Sequence, residues 1–152
     1  MYYLKKEKKK PLTDKNNSKS SLVKKLDRVF SLYIRLRDTM PNGMCRCISC
    51  GNIKPFAQID AGHYFSRTHM ATRFSELNVN AECNFCNRFK ADHLDAYRDN
   101  LIRKIGKDKF ELLRIAAHQS QKWSDFELEA MIQHYKKEVK KLSEIKGIKV
   151  KV

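Results

Sequence analysis

With 152 residues, 41% of them hydrophobic, the chain is long enough for one globular domain with a modest core. Its 32 Lys and Arg against 17 Asp and Glu give a formal charge of +15, which favours a polyanionic partner, DNA or RNA, over a membrane surface; a solubility device or a ribosome-associated protein is the alternative. No apolar run approaches the ~20 residues of a membrane span, and the lysines after Met1-Tyr2-Tyr3-Leu4 leave no apolar core for a secretory signal. The expectation is a cytoplasmic protein, and in a reducing compartment its five cysteines favour metal over disulfides.

Residues 1–20 carry Lys5, Lys6, Lys8, Lys9, Lys10, Lys15 and Lys19 with Pro11 and Asn16-Asn17-Ser18, the composition of a disordered basic arm. Ser20 or Ser21 can cap a helix whose apolar residues recur at Leu22, Leu26, Val29, Phe30, Tyr33, Leu36 and Met40, ending at Pro41-Asn42-Gly43. Arg28, Arg35 and Arg37 lie largely off that stripe, either on a DNA face or on ordinary solvated surface. Gln58 to Phe65 reads as a strand, Ser66 to Glu76 as a polar loop, Leu77 to Glu82 as a second short strand, and about Asn84 to Phe89 as a helix. Further helices are expected over Ala91–Ile105, over Lys109–Ala117 after Asp108 as cap, and from Ser124 to about Ile145. The last opens on a Ser124/Glu127 capping box, with Trp123 placed to staple its first turn. Lys136, Lys137, Lys140, Lys141, Lys146, Lys149 and Lys151 make a second basic cluster, and 147–152 a basic tail. The domain proper is 21–146, with a core at 45–92 and C-terminal helices at 92–146.

The organising stretch is Cys47 to Asp92. Cys47/Cys50 and Cys83/Cys86 are two Cys-x-x-Cys pairs, each able to present two sulfurs to one tetrahedral Zn²⁺. Gly51 suits the knuckle turn, where the backbone needs a positive φ. Cys45 is left over and is expected as a small buried residue. Four cysteines alone mark a structural zinc as readily as anything else. The residues between and after the pairs add more. His63 lies on the first expected strand, Asn78 five residues before Cys83, and Asn87 directly after Cys86. This order, running from Asn78 through C-N-F-C-N-R-F-K to Lys90, resembles the HNH, or ββα-metal, nucleases. The fold class expected is therefore α+β and mainly helical: a zinc-stabilised ββα-metal (His-Me finger) core flanked by N- and C-terminal helices.

Phosphodiester hydrolysis needs an activated water and a cation against the developing charge. A neutral histidine can take the proton near pH 7. Mg²⁺ or Mn²⁺ prefers oxygen donors, so a hard catalytic site is separable from a thiolate site. His63 and Asn78 are the catalytic candidates, with Asn78 also able simply to hold the loop. Asn87 and Asp60 are candidate ligands of the catalytic ion. Gly62 occupies the position where the HNH pattern usually has Asp, and a bulge there would be needed to bring Asp60 round to His63. His69, Asp92 and His93 are the other candidates for that first ligand. Arg67, Arg73, Arg88 and Lys90 are candidate nucleic-acid contacts.

D-A-G-H-Y-F-x-R (Asp60 to Arg67), T-R-F (Thr72 to Phe74), C-N-x-C-N-R-F, Y-x-x-x-L-I-x-K-x-G (Tyr97 to Gly106) and S-L-Y-I-R-L-R-D in the first helix resemble the phage NinG/Rap recombination proteins. The likeness runs from about Leu26 to Gly106. It implies a structure-specific endonuclease of branched DNA, such as D-loops and Holliday junctions, phage or prophage encoded and working in the bacterial cytoplasm. Paired incisions at a junction need two active sites, hence an expected homodimer. The alternative is a non-catalytic, zinc-stabilised DNA- or RNA-binding protein.

Overall fold

A computed structural model describes residues 18–152. Most of the expected arm at 1–20 therefore lies outside the described residues. Helix α1 spans Lys19–Arg37 and is capped by Ser18, whose side chain accepts a hydrogen bond from the Ser21 backbone N–H. The expected caps Ser20 and Ser21 thus lie inside the first turn, and Met40 falls beyond the helix. The buried residues are Leu22, Leu26, Val29, Phe30, Ile34 and Leu36. Ile34 was not in the expected stripe. It is fully buried because α1 packs against a helix on one side and a sheet on the other, which widens the apolar face beyond a single stripe.

Strands β1 (Met44–Arg46) and β2 (Ile53–Pro55) form a small antiparallel hairpin with the first cysteine pair at its turn. A 3₁₀ turn over Phe56–Gln58 leads into β3 (Ile59–His63), which pairs antiparallel with β4 (Val79–Cys83). Helix α2 (Asn84–Phe89) follows at once, then α3 (His93–Ile105) and α4 (Lys107–Ala117), joined at Gly106, and finally α5 (Asp125–Lys146). From β3 onward, strand and helix limits differ from the expected ones by at most two residues, whereas α1 ends three residues before the expected Met40. The first hairpin, three residues a side, was not foreseen as strands, since segments that short carry no period. Asp108 falls in the first turn of α4 instead of capping it. The Ser124/Glu127 capping box is present as expected.

The main core lies between α1, α5 and one face of the β3–β4 sheet, and includes Ala61, Phe74, Val79, Leu128, Ile132, Tyr135 and Val139. Phe30 stands edge-on to Phe74 and Tyr135, at centroid distances of 5.8 and 4.9 Å. Trp123 packs at the margin of this core and donates from Nε1 to Met70 O. Lys146 Nζ reaches back to donate to Leu36 O, Arg37 O and Thr39 O at the end of α1. A cation there satisfies carbonyls that no longer have helical partners and meets the negative end of the helix dipole.

A two-stranded sheet leaves exposed edges. Here α1 and the first knuckle cover the outer edge of β4. Arg37 Nη2 donates to Val79 O, Asp38 Oδ2 accepts from Ala81 N, and Ile48 N donates to Ala81 O. Beneath the sheet, Tyr97 of α3 is wholly buried; its hydroxyl donates to Gly62 O and accepts from Asn80 Nδ2.

Candidate functional site

Four cysteines from two segments meet at one end of the β3–β4 sheet. The sulfurs of Cys47, Cys50, Cys83 and Cys86 all lie within 4.8 Å of one another. Cys50 Sγ and Cys83 Sγ are 3.9 Å apart, close to the ~3.8 Å edge of a tetrahedron with Zn–S of ~2.3 Å. The knuckle geometry is local. Gly51 takes φ 74°, and Gly51 N donates to Cys47 O while Cys50 N and Cys83 N point at Cys47 Sγ. Burial pushes the Cys47 thiol up to about 11 and raises that of Cys86 as well. Burial also works against Cys50, but the N–H of Asn52 and the neighbouring sulfurs outweigh it, and its thiol is held below the ordinary value. Four soft donors at tetrahedral spacing fit Zn²⁺, and the cation would hold the thiolates in their ionised form. Cys45 lies outside this set. It is buried against Thr39, with Sγ 3.1 Å from Oγ1.

Asp60 and Asn87 meet beside the cysteines. Asn87 Nδ2 donates to Asp60 Oδ2 at 3.0 Å, and Arg88 closes a two-pronged contact on the same carboxylate, at 2.8 and 2.7 Å. Partial burial opposes ionisation of Asp60, but the hydrogen bonds from Arg88 and Asn87 more than offset it and keep the carboxyl below its usual range.

His63 is placed differently. The β3–β4 register runs without interruption from Ile59↔Cys83 to His63↔Val79, so there is no bulge at Gly62. Alternation puts Asp60 on the face shared with Glu82, and His63 on the other, shared with Val79. The bulge that would be needed to swing Asp60 towards His63 is absent. Gly62 has another reason to be glycine. A Cβ there would stand 2.8 Å from Glu82 Cβ and closer still to its carboxylate. His63 Nε2 donates to Arg73 O at 3.0 Å, and burial lowers the imidazole pKa, so the ring is neutral near pH 7.

Asn78 holds the loop between the strands. It is fully buried; Oδ1 accepts from Phe65 N, and Nδ2 donates to Phe65 O and Thr72 O. One amide thus fixes the chain two residues after His63.

The remaining candidates scatter. Arg67 is exposed on the loop. Arg73 is committed to Asp27 by a two-pronged contact at 3.0 and 2.6 Å. Arg88 is engaged by Asp60 but half exposed, and Lys90 lies 3.9 Å from Asp92. His69 Nδ1 donates to Ala117 O at the end of α4, away from the Asp60–Asn87 pair. His93 does approach, through a residue sequence reasoning missed. Glu82, fully buried, receives His93 Nδ1 at 2.6 Å and the Ser49 hydroxyl, and its second oxygen has no partner. An acid inside a β-strand beside a cysteine pair has no motif to announce it. Only the pairing of β4 with β3 makes it the cross-strand neighbour of Asp60.

None of the described helices is long and apolar enough to cross a membrane. No solved structure matches the chain. Protein ninG of Escherichia phage lambda is 34% identical over 128 residues, which cover 82% of this chain and 58% of the relative. Protein ninG of Escherichia phage 933W and of Enterobacteria phage VT2-Sa are each 34% identical over 82% of this chain and 59% of their own length. The chain thus spans somewhat over half the length of these curated relatives. Residues 3–145 match the family model described as Bacteriophage Lambda NinG protein, and with nearly the whole chain inside that match, the protein belongs to the NinG family.

Proposed function

We propose that the protein is an HNH-like, metal-dependent endonuclease acting on branched DNA, with a structural zinc beside its reaction centre. The observation that carries this reading is the convergence of Asp60 and Asn87, residues far apart in sequence, on one hydrogen bond next to the cysteine cluster. A carboxylate and an amide oxygen are the hard donors that Mg²⁺ or Mn²⁺ takes while keeping waters for a phosphate to displace. When bound, such an ion neutralises charge developing on the phosphate. Arg88, half exposed, can exchange Asp60 for a phosphate oxygen of the substrate. Asn78 keeps the loop after His63 in place. Two histidines can take the proton from water: His63, which stands on the strand face opposite Asp60, and His93, which reaches Glu82 on the Asp60 face. The run β3, β4, α2 supports the ββα comparison. The charge of +15 supports a nucleic acid, and the branched substrate rests on the family likeness. Two incisions across a junction would call for a homodimer, and sedimentation with junction DNA reads that directly.

The test is a cleavage assay with matched junction, flap and duplex DNA and the same strands as RNA, in Mg²⁺ or Mn²⁺. Junction-selective cutting of DNA is expected. Binding without cutting under every metal overturns the hydrolytic reading and leaves a zinc-stabilised binding protein. His63→Ala should cut about 10²- to 10⁴-fold more slowly, with zinc content and junction affinity unchanged. Because burial lowers the His63 pKa, the neutral base persists to lower pH than in a free imidazole, and the rate should fall only below the ordinary histidine range. A His63→Ala chain cutting at the wild-type rate removes it as base. His93→Ala, run alongside, shows whether the histidine on the Asp60 face takes its place.

A further inference from the structure

A groove of about 400 Å³ runs between α1, α5 and the segment that follows α5. Val29, Leu32 and Ile132 form its floor, while Lys25, Arg28, Lys136 and Lys151 rise along its walls, and no acidic side chain lines it. A second hollow, where Glu144 stands with Lys136 and Lys140, continues it along the same segment. Arg28, Lys136, Lys140 and Lys151 are exposed, and no ion pair among the described residues engages them. Arg28, Lys136 and Lys151, gathered in a groove that no acidic side chain lines, repel one another, so the arrangement costs stability unless a polyanion completes it.

The groove also leads somewhere. Lys24, Arg28 and Arg35 fall on one side of α1, and the seven residues from Arg28 to Arg35 span about 10 Å. Arg35 is stacked 4.1 Å above the Phe56 ring and donates to Phe56 O at 2.9 Å. Phe56 opens the 3₁₀ turn that feeds directly into β3 and Asp60. A row of cations thus connects the groove to the Asp60–Asn87 pair.

We infer that this groove is a phosphate-backbone track, which seats one arm of a DNA substrate and leads it along Lys24, Arg28 and Arg35 to the Asp60–Asn87 pair. The inference deepens the nuclease reading and rests on it for the identity of the partner. DNA fits better than an acidic peptide because the cations come from three segments and extend in a line, as a duplex strand with a charge every ~3.4 Å requires. Contacts of this kind position a duplex without reading its sequence.

The test is equilibrium binding of a four-way junction and of a single duplex arm, with Ca²⁺ in place of the catalytic metal, from 50 to 300 mM salt. It compares the wild type with the Arg28→Gln/Lys136→Gln/Lys151→Gln chain. Losing three phosphate contacts should reduce the slope of log affinity against log salt by about 2.7, at ~0.9 per contact, and weaken junction binding on the order of 10- to 100-fold near 100 mM salt. The Arg28→Lys/Lys136→Arg/Lys151→Arg chain should bind as the wild type does, which separates charge from any loss of fold. Unchanged affinity and slope in the glutamine chain, with zinc and helicity intact, overturn the track. So does a glutamine chain that keeps its DNA affinity but no longer binds poly-glutamate, an outcome that assigns the groove to an acidic peptide. A wild type that binds but never cuts overturns the hydrolytic reading alone.

Discussion

Phe30 and Cys47 are equally buried, at 2% and 1% exposure, yet the two halves of the molecule around them cohere for different reasons. Around Phe30, α1 and α5 bury leucines, valines and a ring cluster of Phe30, Tyr33, Phe74 and Tyr135. This half is held by removal of apolar surface from water. Around Cys47, the buried apolar cluster is smaller, with Ile59, Ala81 and the cysteines packed by Phe56, and a separate cluster of Tyr97, Leu101, Phe110 and Leu113 reaches it through Ile48. What remains is polar: Glu82 between Ser49 and His93, Asn78 across its loop, Asp38 and Arg37 along the strand edge. Such a network demands a single geometry but contributes little net stability. A metal ion is the natural source of what the cysteine half lacks, and the Asp60–Asn87 pair sits on that half, whereas the cationic groove belongs to the α1–α5 half.

Removing the metal tests this contrast most severely. Structural zinc contributes on the order of 10 kcal/mol in small zinc modules. Chelation, or Cys83→Ser, should therefore free the amides of β1 to β4 to exchange while α1 and α5 keep their protection. Cys45→Ser should retain one zinc per chain, since Thr39 and not the metal is its neighbour. Uniform loss of protection across both halves would show one cooperative unit and break the comparison.

Phe30→Ala probes the other half. A cavity among those rings should cost about 3–5 kcal/mol, read by chemical denaturation, with zinc still bound in the folded fraction. A loss under ~1 kcal/mol would mean that the aromatic cluster is not what holds α1 to α5.

Gly62→Ala asks for less. The added Cβ meets Glu82, which is buried and held through one carboxylate oxygen by Ser49 and His93, and overpacking of this kind costs about 1–3 kcal/mol. The same change in a Glu82→Ala background should cost clearly less, and the difference is the coupling between the two sites. Equal costs in both backgrounds would place the strain elsewhere.

Much of this molecule could be read from its residues. The periods of α1 and α5, the Ser124/Glu127 box and the two Cys-x-x-Cys pairs are local signals, and each led to the element or cluster found. Asn78 was singled out by its distance from Cys83, and the hydrogen bonds it makes are those of a loop clamp. Tertiary structure alone decided the rest, because it depends on pairing between segments distant in the chain. The uninterrupted register of β3 with β4 set Asp60 and His63 on opposite faces and brought Glu82 beside Gly62. The packing of α5 on α1 turned scattered lysines into one groove. Spacing along a chain reports which side chains share a turn or a strand face; which strand lies beside which, and in what register, is settled by burial and hydrogen bonding across the whole fold.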